Sequence, residues 1–265
     1  MLSASARREL LAALVGREMK GRYKGSALGL LWSLLTPLFM AGIYAFFFRL
    51  LSGRAANTQS ILVGVFAWQF TSNCVHQGMN CITGNANLVK KVAFPRRLLP
   101  MAVTVAAGID YLISLVVQLG LIAFLLHRSG TTYTWTLAAL PLVFLLHAIF
   151  NLGLALFLSA MNVYFRDTQH LVGVGLSALF FLSPAMYDLD FVARMALETN
   201  MDPRVMDLYL LNPLAGIFSL YRWAFLGTLP PLGSFFWAGL AWPFVFTPLA
   251  ALFFRRMQRN FADHV

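Results

Sequence analysis

The stretch Leu88-Val89-Lys90-Lys91-Val92-Ala93-Phe94-Pro95-Arg96-Arg97-Leu98-Leu99-Pro100 decides how the rest of the sequence is read. Lys90, Lys91, Arg96 and Arg97 stand between two long apolar runs. Charges this dense do not enter hydrocarbon, so the segment stays in water or lipid headgroups and fixes the topology on either side. Pro95 and Pro100 forbid one continuous helix and are expected to divide the segment into a short helix and a turn. Its apolar side, Leu88, Val89, Val92 and Phe94, exceeds what a plain connection needs. This basic elbow is expected to press against another protein.

The composition agrees with apolar runs on both sides. Of 265 residues, 59% are hydrophobic and 11% charged, against about 25% charged in soluble domains, so the chain reads as a membrane protein. The net charge of +10 does not point to nucleic acid, because the cations cluster at the ends of apolar segments. Cys74 and Cys81 fall on or beside an expected span and imply neither a disulfide framework nor a zinc site. No cleavable leader is apparent at the N-terminus.

Residues 3–24 set Leu10, Leu11, Leu14, Val15 and Met19 at helical spacing among Arg7, Arg8, Arg17, Lys20, Arg22 and Lys24. This pattern predicts an amphipathic helix lying along the inner membrane surface. Spans are expected at about 27–51, 61–80, 101–126, 136–161, 171–187 and 232–254, with Pro37 kinking the first or ending its first turn. Residues 188–231 are polar and then apolar, broken by Asn212-Pro213 and Arg222, and are expected to form one or two re-entrant or interfacial helices on the outer side. The fold class is thus an all-α integral membrane protein of six transmembrane helices. It forms one domain over 1–265: an interfacial helix at 1–26, a six-span region at 27–254 and an inner tail at 255–265. This arrangement places fourteen of the Lys and Arg residues inside and six outside, namely Arg49, Arg54, Arg128, Arg194, Arg204 and Arg222, with both ends inside.

Chemistry is sparse. Asp110 is the one acid inside an expected span, and the five histidines lack metal-ligand spacing. No phosphate-cradling Gly-x-x-x-x-Gly-Lys-Ser/Thr loop occurs; Gly16 and Gly21 have the glycine spacing, but Arg22 follows. The chain is therefore expected to be no enzyme and to bind no cofactor itself.

The run Arg17-Glu18-Met19-Lys20-Gly21-Arg22-Tyr23-Lys24-Gly25-Ser26-Ala27-Leu28-Gly29-Leu30-Leu31-Trp32 resembles the N-terminal signature of the membrane subunit of ABC-type polysaccharide exporters. The elbow resembles the cytoplasmic segment of their O-antigen and teichoic-acid branches. Arg166-Asp167, Ser183-Pro184-Ala185-Met186-Tyr187 and Asn212-Pro213 with Arg222 follow in family order, so the resemblance covers nearly the whole chain. It implies a homodimer in the bacterial inner membrane with both termini cytoplasmic, joined by two copies of an ATPase subunit that bind ATP and Mg. The substrate it implies is a lipid-linked glycan, most closely O-antigen.

On this resemblance Lys90, Lys91, Phe94, Pro95, Arg96, Arg97, Arg166 and Asp167 would couple to the ATPase, and the first and fifth spans would line the conduit. Trp32, Phe39, Tyr44, Phe180, Phe181 and Tyr187 would offer ring faces to sugars, and Asn212, Pro213 and Arg222 would belong to an outer gate. Each role has a plainer counterpart. Membrane aromatics commonly face lipid or its interface, inner-loop cations commonly set topology, and Arg166-Asp167 could form a local ion pair. Arg17, Lys20, Arg22 and Lys24 suit either lipid anchoring or a substrate phosphate headgroup. Asp110 is expected to bond Asn151 or His147 at similar depth in the fourth span, the rival reading being an acid that lines the conduit. Two other functions stay open on the residues: a membrane-embedded glycosyl- or phosphotransferase, and a permease of this architecture for teichoic acid, capsule, a drug or a small lipid.

Overall fold

A computed structural model describes residues 3–52, 57–92, 94–165, 167–229 and 233–265. Arg54 and Arg166, together with the beginning of the expected last span at 232, lie outside the described residues. All regular structure among the described residues is helical.

In chain order the helices are α1 (Ala4–Tyr23), α2 (Trp32–Ser52), α3 (Thr58–Asn80), α4 (Ala86–Lys91), α5 (Leu98–Arg128), α6 (Leu140–Tyr164), α7 (Thr168–Phe181), α8 (Leu189–Glu198), α9 (Pro203–Leu210), α10 (Pro213–Leu226), α11 (Ser234–Met257) and α12 (Phe261–His264). At about 1.5 Å per residue, α5, α6 and α11 reach beyond the roughly 30 Å of a bilayer's hydrocarbon, and their composition is apolar enough to cross it. The expected fifth span is shorter than its apolar run suggests. α7 ends at Phe181 after 14 residues, about 21 Å of helix, and 182–187 continues as non-helical chain.

Proline placement explains two boundaries. Pro100 does not divide the elbow from the next helix, because it lies in the first turn of α5, where a missing N–H costs nothing. Pro37 lies inside α2 and leaves the Ser33 carbonyl without its helical donor. The Ser114 hydroxyl of α5 donates to that carbonyl at 3.2 Å and also to the Asp110 carbonyl at 2.9 Å.

Two apolar cores stack along the molecule. The larger one joins α3, α5, α6, α10 and α11 around Phe66, Phe70, Tyr111, Phe218, Tyr221 and Phe236. The smaller one gathers Leu14 of α1, Val89 of α4, Leu99 and Val103 of α5, Leu156 of α6, Phe254 of α11 and Phe261 of α12. It marks one end of the bundle, here termed the basal end, where both terminal helices and the elbow meet. Cys74 and Cys81 are buried and free.

The polar residues of the 188–212 region act as helix caps. Asp188 accepts from the Phe191 amide, Asp202 from Arg204, and Asn212 from Leu214, each at 2.9–3.0 Å. Three short helices result. α10 is buried along most of its length against α3, α6 and α11, so it is a core element of the end opposite the basal one.

Candidate functional site

At the basal end, α4 stops at Lys91 and the chain turns through Phe94 and Pro95 into α5. Val89 is buried in the basal core, and Leu88 and Phe94 pack against it. Most of the elbow's apolar side is therefore turned onto its own chain, contrary to the expectation that it faces outward. Of the four residues expected there, only Val92 is substantially exposed. Lys90, Lys91 and Arg97 are exposed, whereas Arg96 donates to the Gln258 carbonyl just past α11. The protruding surface is thus a cationic ridge on a packed foundation. Nearby, the Asn162 amide of α6 donates to the Met79 carbonyl at 3.1 Å and the Gln169 amide of α7 to Asn80 at 2.9 Å, tying the end of α3 to the α6–α7 turn. Asp167 opens α7 in that turn and is exposed.

The N-terminal cations divide by environment. Lys20 and Lys24 are exposed, and Arg17 lies 3.4 Å from Glu18 at the surface. Arg22, at the end of α1, is largely buried and forms an ion pair with Asp110 of α5. This overturns the expected partners of Asp110. His147 instead meets the Thr71 hydroxyl at 2.7 Å, and neither amide atom of Asn151 has a hydrogen-bond partner. Asp110 stands twelve residues beyond Leu98, about 18 Å along α5, so the last turn of α1 reaches well above the basal rim. A wholly flat surface helix would not reach it.

At the opposite end, Arg222 and Asn212, both singled out in the sequence, converge on the chain around Ser183 and Pro184. Its Nε donates to the Ser60 hydroxyl at 2.7 Å and its Nη2 to the Pro184 carbonyl at 2.6 Å. The Asn212 amide donates to the Leu182 carbonyl at 3.0 Å and the Ser183 hydroxyl at 2.9 Å. These bonds supply donors that the non-helical chain after α7 otherwise lacks. Gly64 permits the approach, since a Cβ there would run into the Ala185 carbonyl and the guanidinium. Asn212 thus ties and caps, Pro213 opens α10, and Arg222 is buried among its partners. Tyr209 donates to Tyr187 at 3.1 Å, and burial followed by that bond holds its phenol well above the usual value, so it stays a donor.

The expected conduit aromatics also separate. Phe180 is buried, with its ring centroid 5.3 Å from those of Tyr44 and Trp68. It is packing that fastens α7 to α2 and α3. Trp32, Phe39 and Phe181 are 50–64% exposed, and with Phe46, Leu171 and Val174 they make an apolar face on α2 and α7. The Tyr187 hydroxyl donates to the Phe181 carbonyl at 2.6 Å.

Sequence reasoning missed Ser60 and Gly64, which carry no local signal of their own. The Arg22–Asp110 pair had one: a single intramembrane acid calls for a cation, and Arg22 ends the apolar stripe of α1.

The chain is 34% identical over 218 residues to the O-antigen export system permease protein RfbA of Myxococcus xanthus, covering 81% of this chain and 79% of that protein. It is 27% identical over 260 residues to the protein of the same name from Klebsiella pneumoniae, covering 96% and 94%. Residues 9–226, from within α1 to the end of α10, match the ABC-2 type transporter family. That match takes in the basal elbow, the Arg22–Asp110 pair and the Arg222 knot alike, and the chain belongs to the ABC-2 type transporter family as a multi-pass membrane subunit.

Proposed function

We propose that this chain is the membrane subunit of an ATP-driven exporter that moves lipid-linked O-antigen from the inner to the outer side of the bacterial cytoplasmic membrane. The observation that carries the reading is the cationic ridge of Lys90, Lys91 and Arg97, exposed on an elbow whose apolar residues are anchored in the basal core. Such a ridge suits docking of a separate ATPase, and ATP and Mg bind in that partner. Near full-length similarity to permeases named for O-antigen export supplies the substrate.

In this reading six segments cross the membrane: α2, α3, α5, α6, α11, and α7 extended by 182–187. The basal end with both termini faces the cytoplasm. Two copies meet across a conduit through the exposed faces of α2 and α7, since one copy leaves those faces uncovered. Trp32, Phe39, Phe181 and Tyr187 line the path of the glycan. Arg17, Lys20 and Lys24 sit where the substrate's phosphate headgroup enters.

Deletion of the gene should leave lipid-linked glycan on the cytoplasmic side, and the intact chain should restore export. A tagged copy should co-purify with an equal number of nucleotide-hydrolysing subunits. Normal surface glycan in the deletion strain would overturn the substrate, and purification without any ATPase would overturn the mechanism.

A further inference from the structure

α3 carries a stripe of amide, hydroxyl and imidazole side chains that neither apolar core absorbs. Gln69, Ser72, Asn73, His76 and Asn80 recur at helical spacing. They fall within about 100° of the helix circumference and span roughly 17 Å of its basal half. His76 and Asn80 are exposed, and Gln69, Ser72 and Asn73 are half-buried. The rest of the helix there is packed: Phe70, Cys74 and Val75 are buried, and at Gly78 a Cβ would collide with Ala155 of α6. The neighbours on either side of the stripe are α2 and α7. Gln69 and Asn73 border a small space together with Ser33 and Pro37 of α2. On the other side the Trp68 ring lies 5.3 Å from Phe180 of α7, and Asn80 accepts from Gln169 of α7 at 2.9 Å. The stripe therefore floors the groove between the apolar faces of α2 and α7. The Gln69 amide donates to Asn73 Oδ1 at 2.8 Å, which leaves the Gln69 oxygen and the Asn73 nitrogen open to another partner. The Ser72 hydroxyl and the His76 ring make no hydrogen bond among the described residues. No Asp, Glu, Lys or Arg occurs between Arg54 and Lys90.

We infer that this stripe is the hydrogen-bonding floor of the substrate path, where Gln69, Ser72, Asn73 and His76 meet the hydroxyls of a sugar chain. Acyl chains are excluded as its cover, because open amides and hydroxyls are costly against hydrocarbon. A carboxamide both donates and accepts, and so does a sugar hydroxyl, so the two match in any order along a polymer. With no fixed charge on the floor, no single sugar is held tightly and the chain can advance. The rings of α2 and α7 flank the groove and suit the apolar faces of the same sugars. The assignment rests on the proposed export of a glycan, and it adds a third helix to the path. In that orientation the stripe lies on the entry side.

The test has two arms. In inside-out vesicles bearing the assembled transporter, Ser72→Cys and His76→Cys should react with a membrane-impermeant, sulfonated methanethiosulfonate. Leu249→Cys, on an apolar flank of α11 where the leucine is 57% exposed, should not react. Cys74 and Cys81 are buried, so the unaltered chain supplies the unreactive background. In the second arm, Asn73→Leu with His76→Leu should slow the appearance of surface glycan severalfold at an unchanged amount of folded complex. Asn73→Gln with His76→Gln keeps the hydrogen bonding and should retain most export. If the leucine pair lowers folded protein, Ser72→Ala decides, since it removes one hydroxyl alone. It should slow export about twofold or more, the low end of one lost hydrogen bond. Unreactive cysteines at both stripe positions would put the stripe against lipid or a second copy and overturn the proposal. Full export by the folded leucine pair or by Ser72→Ala would overturn it too, as would equal loss in the glutamine pair. Failure of the unaltered chain to restore export in the deletion strain counts against the proposed function instead.

Discussion

Arg22 and Asp110, 88 residues apart in sequence, form an ion pair that fastens the last turn of α1 to α5. Removing one partner of a buried pair leaves a bare charge and typically costs about 3–5 kcal/mol. Arg22→Gln and Asp110→Asn should each lower folded protein, although Asn preserves hydrogen-bonding capacity. The double variant should recover part of the loss, because no charge is then stranded. Melting temperatures of the four proteins make the cycle; strictly additive losses would contradict the pair.

Arg222 satisfies a hydroxyl and backbone carbonyls from two other segments, which a lysine ammonium cannot span in the same geometry. Arg222→Lys should therefore destabilise the chain by about 1–3 kcal/mol, the cost of leaving buried acceptors unmet. Gly64→Ala should produce a comparable loss through steric collision at the Ala185 carbonyl. Thermal unfolding in detergent measures both, and unchanged melting temperatures would remove the knot from the account.

Neighbouring phenylalanines on α7 should behave oppositely. Phe180→Ala opens a hole between Tyr44 and Trp68 and should cost about 3–5 kcal/mol. Phe181→Ala removes an exposed ring and should leave stability nearly unchanged while reducing export. Melting temperature set beside surface glycan separates the two. Equal destabilisation by both would argue against the assigned faces.

The elbow separates in the same way. Lys90→Glu with Lys91→Glu should leave the fold intact and weaken co-purification of the ATPase subunit, because both side chains are exposed. Val89→Asp should instead lower folded protein by burying a carboxylate in the basal core. Full ATPase recovery with the double glutamate variant would displace the docking site from this ridge.

Much of this architecture was legible in the sequence, because hydrocarbon-length apolar runs and flanking cations are strong local signals. The helical class, the break at the elbow and the irregular outer region followed from them. What escaped was pairing between distant elements. The apolar residues of the elbow looked available to a partner, but whether Val89 meets another protein or the core shared with Phe261 depends on where the chain returns 172 residues later. Phe180 and Phe181 are equivalent in composition, and only the rotation of α7 distinguishes them. Depth along a span set Asp110 level with Asn151 and close to His147, yet depth ignores direction around the helix, and the ion pair forms with Arg22 of α1 instead.

The bond from Arg96 to the Gln258 carbonyl also has a consequence for biosynthesis. Its two ends are separated by 162 residues, an interval of roughly 10–30 s at ribosomal elongation rates of about 5–20 residues per second. During that interval the elbow has emerged without α11 and α12 to brace it, and Val89 has no Phe261 to pack against. A nascent chain therefore lacks a braced elbow until its last helices have been translated and folded back. On the proposed function, the order of synthesis alone would discourage recruitment of an ATPase to a half-made permease.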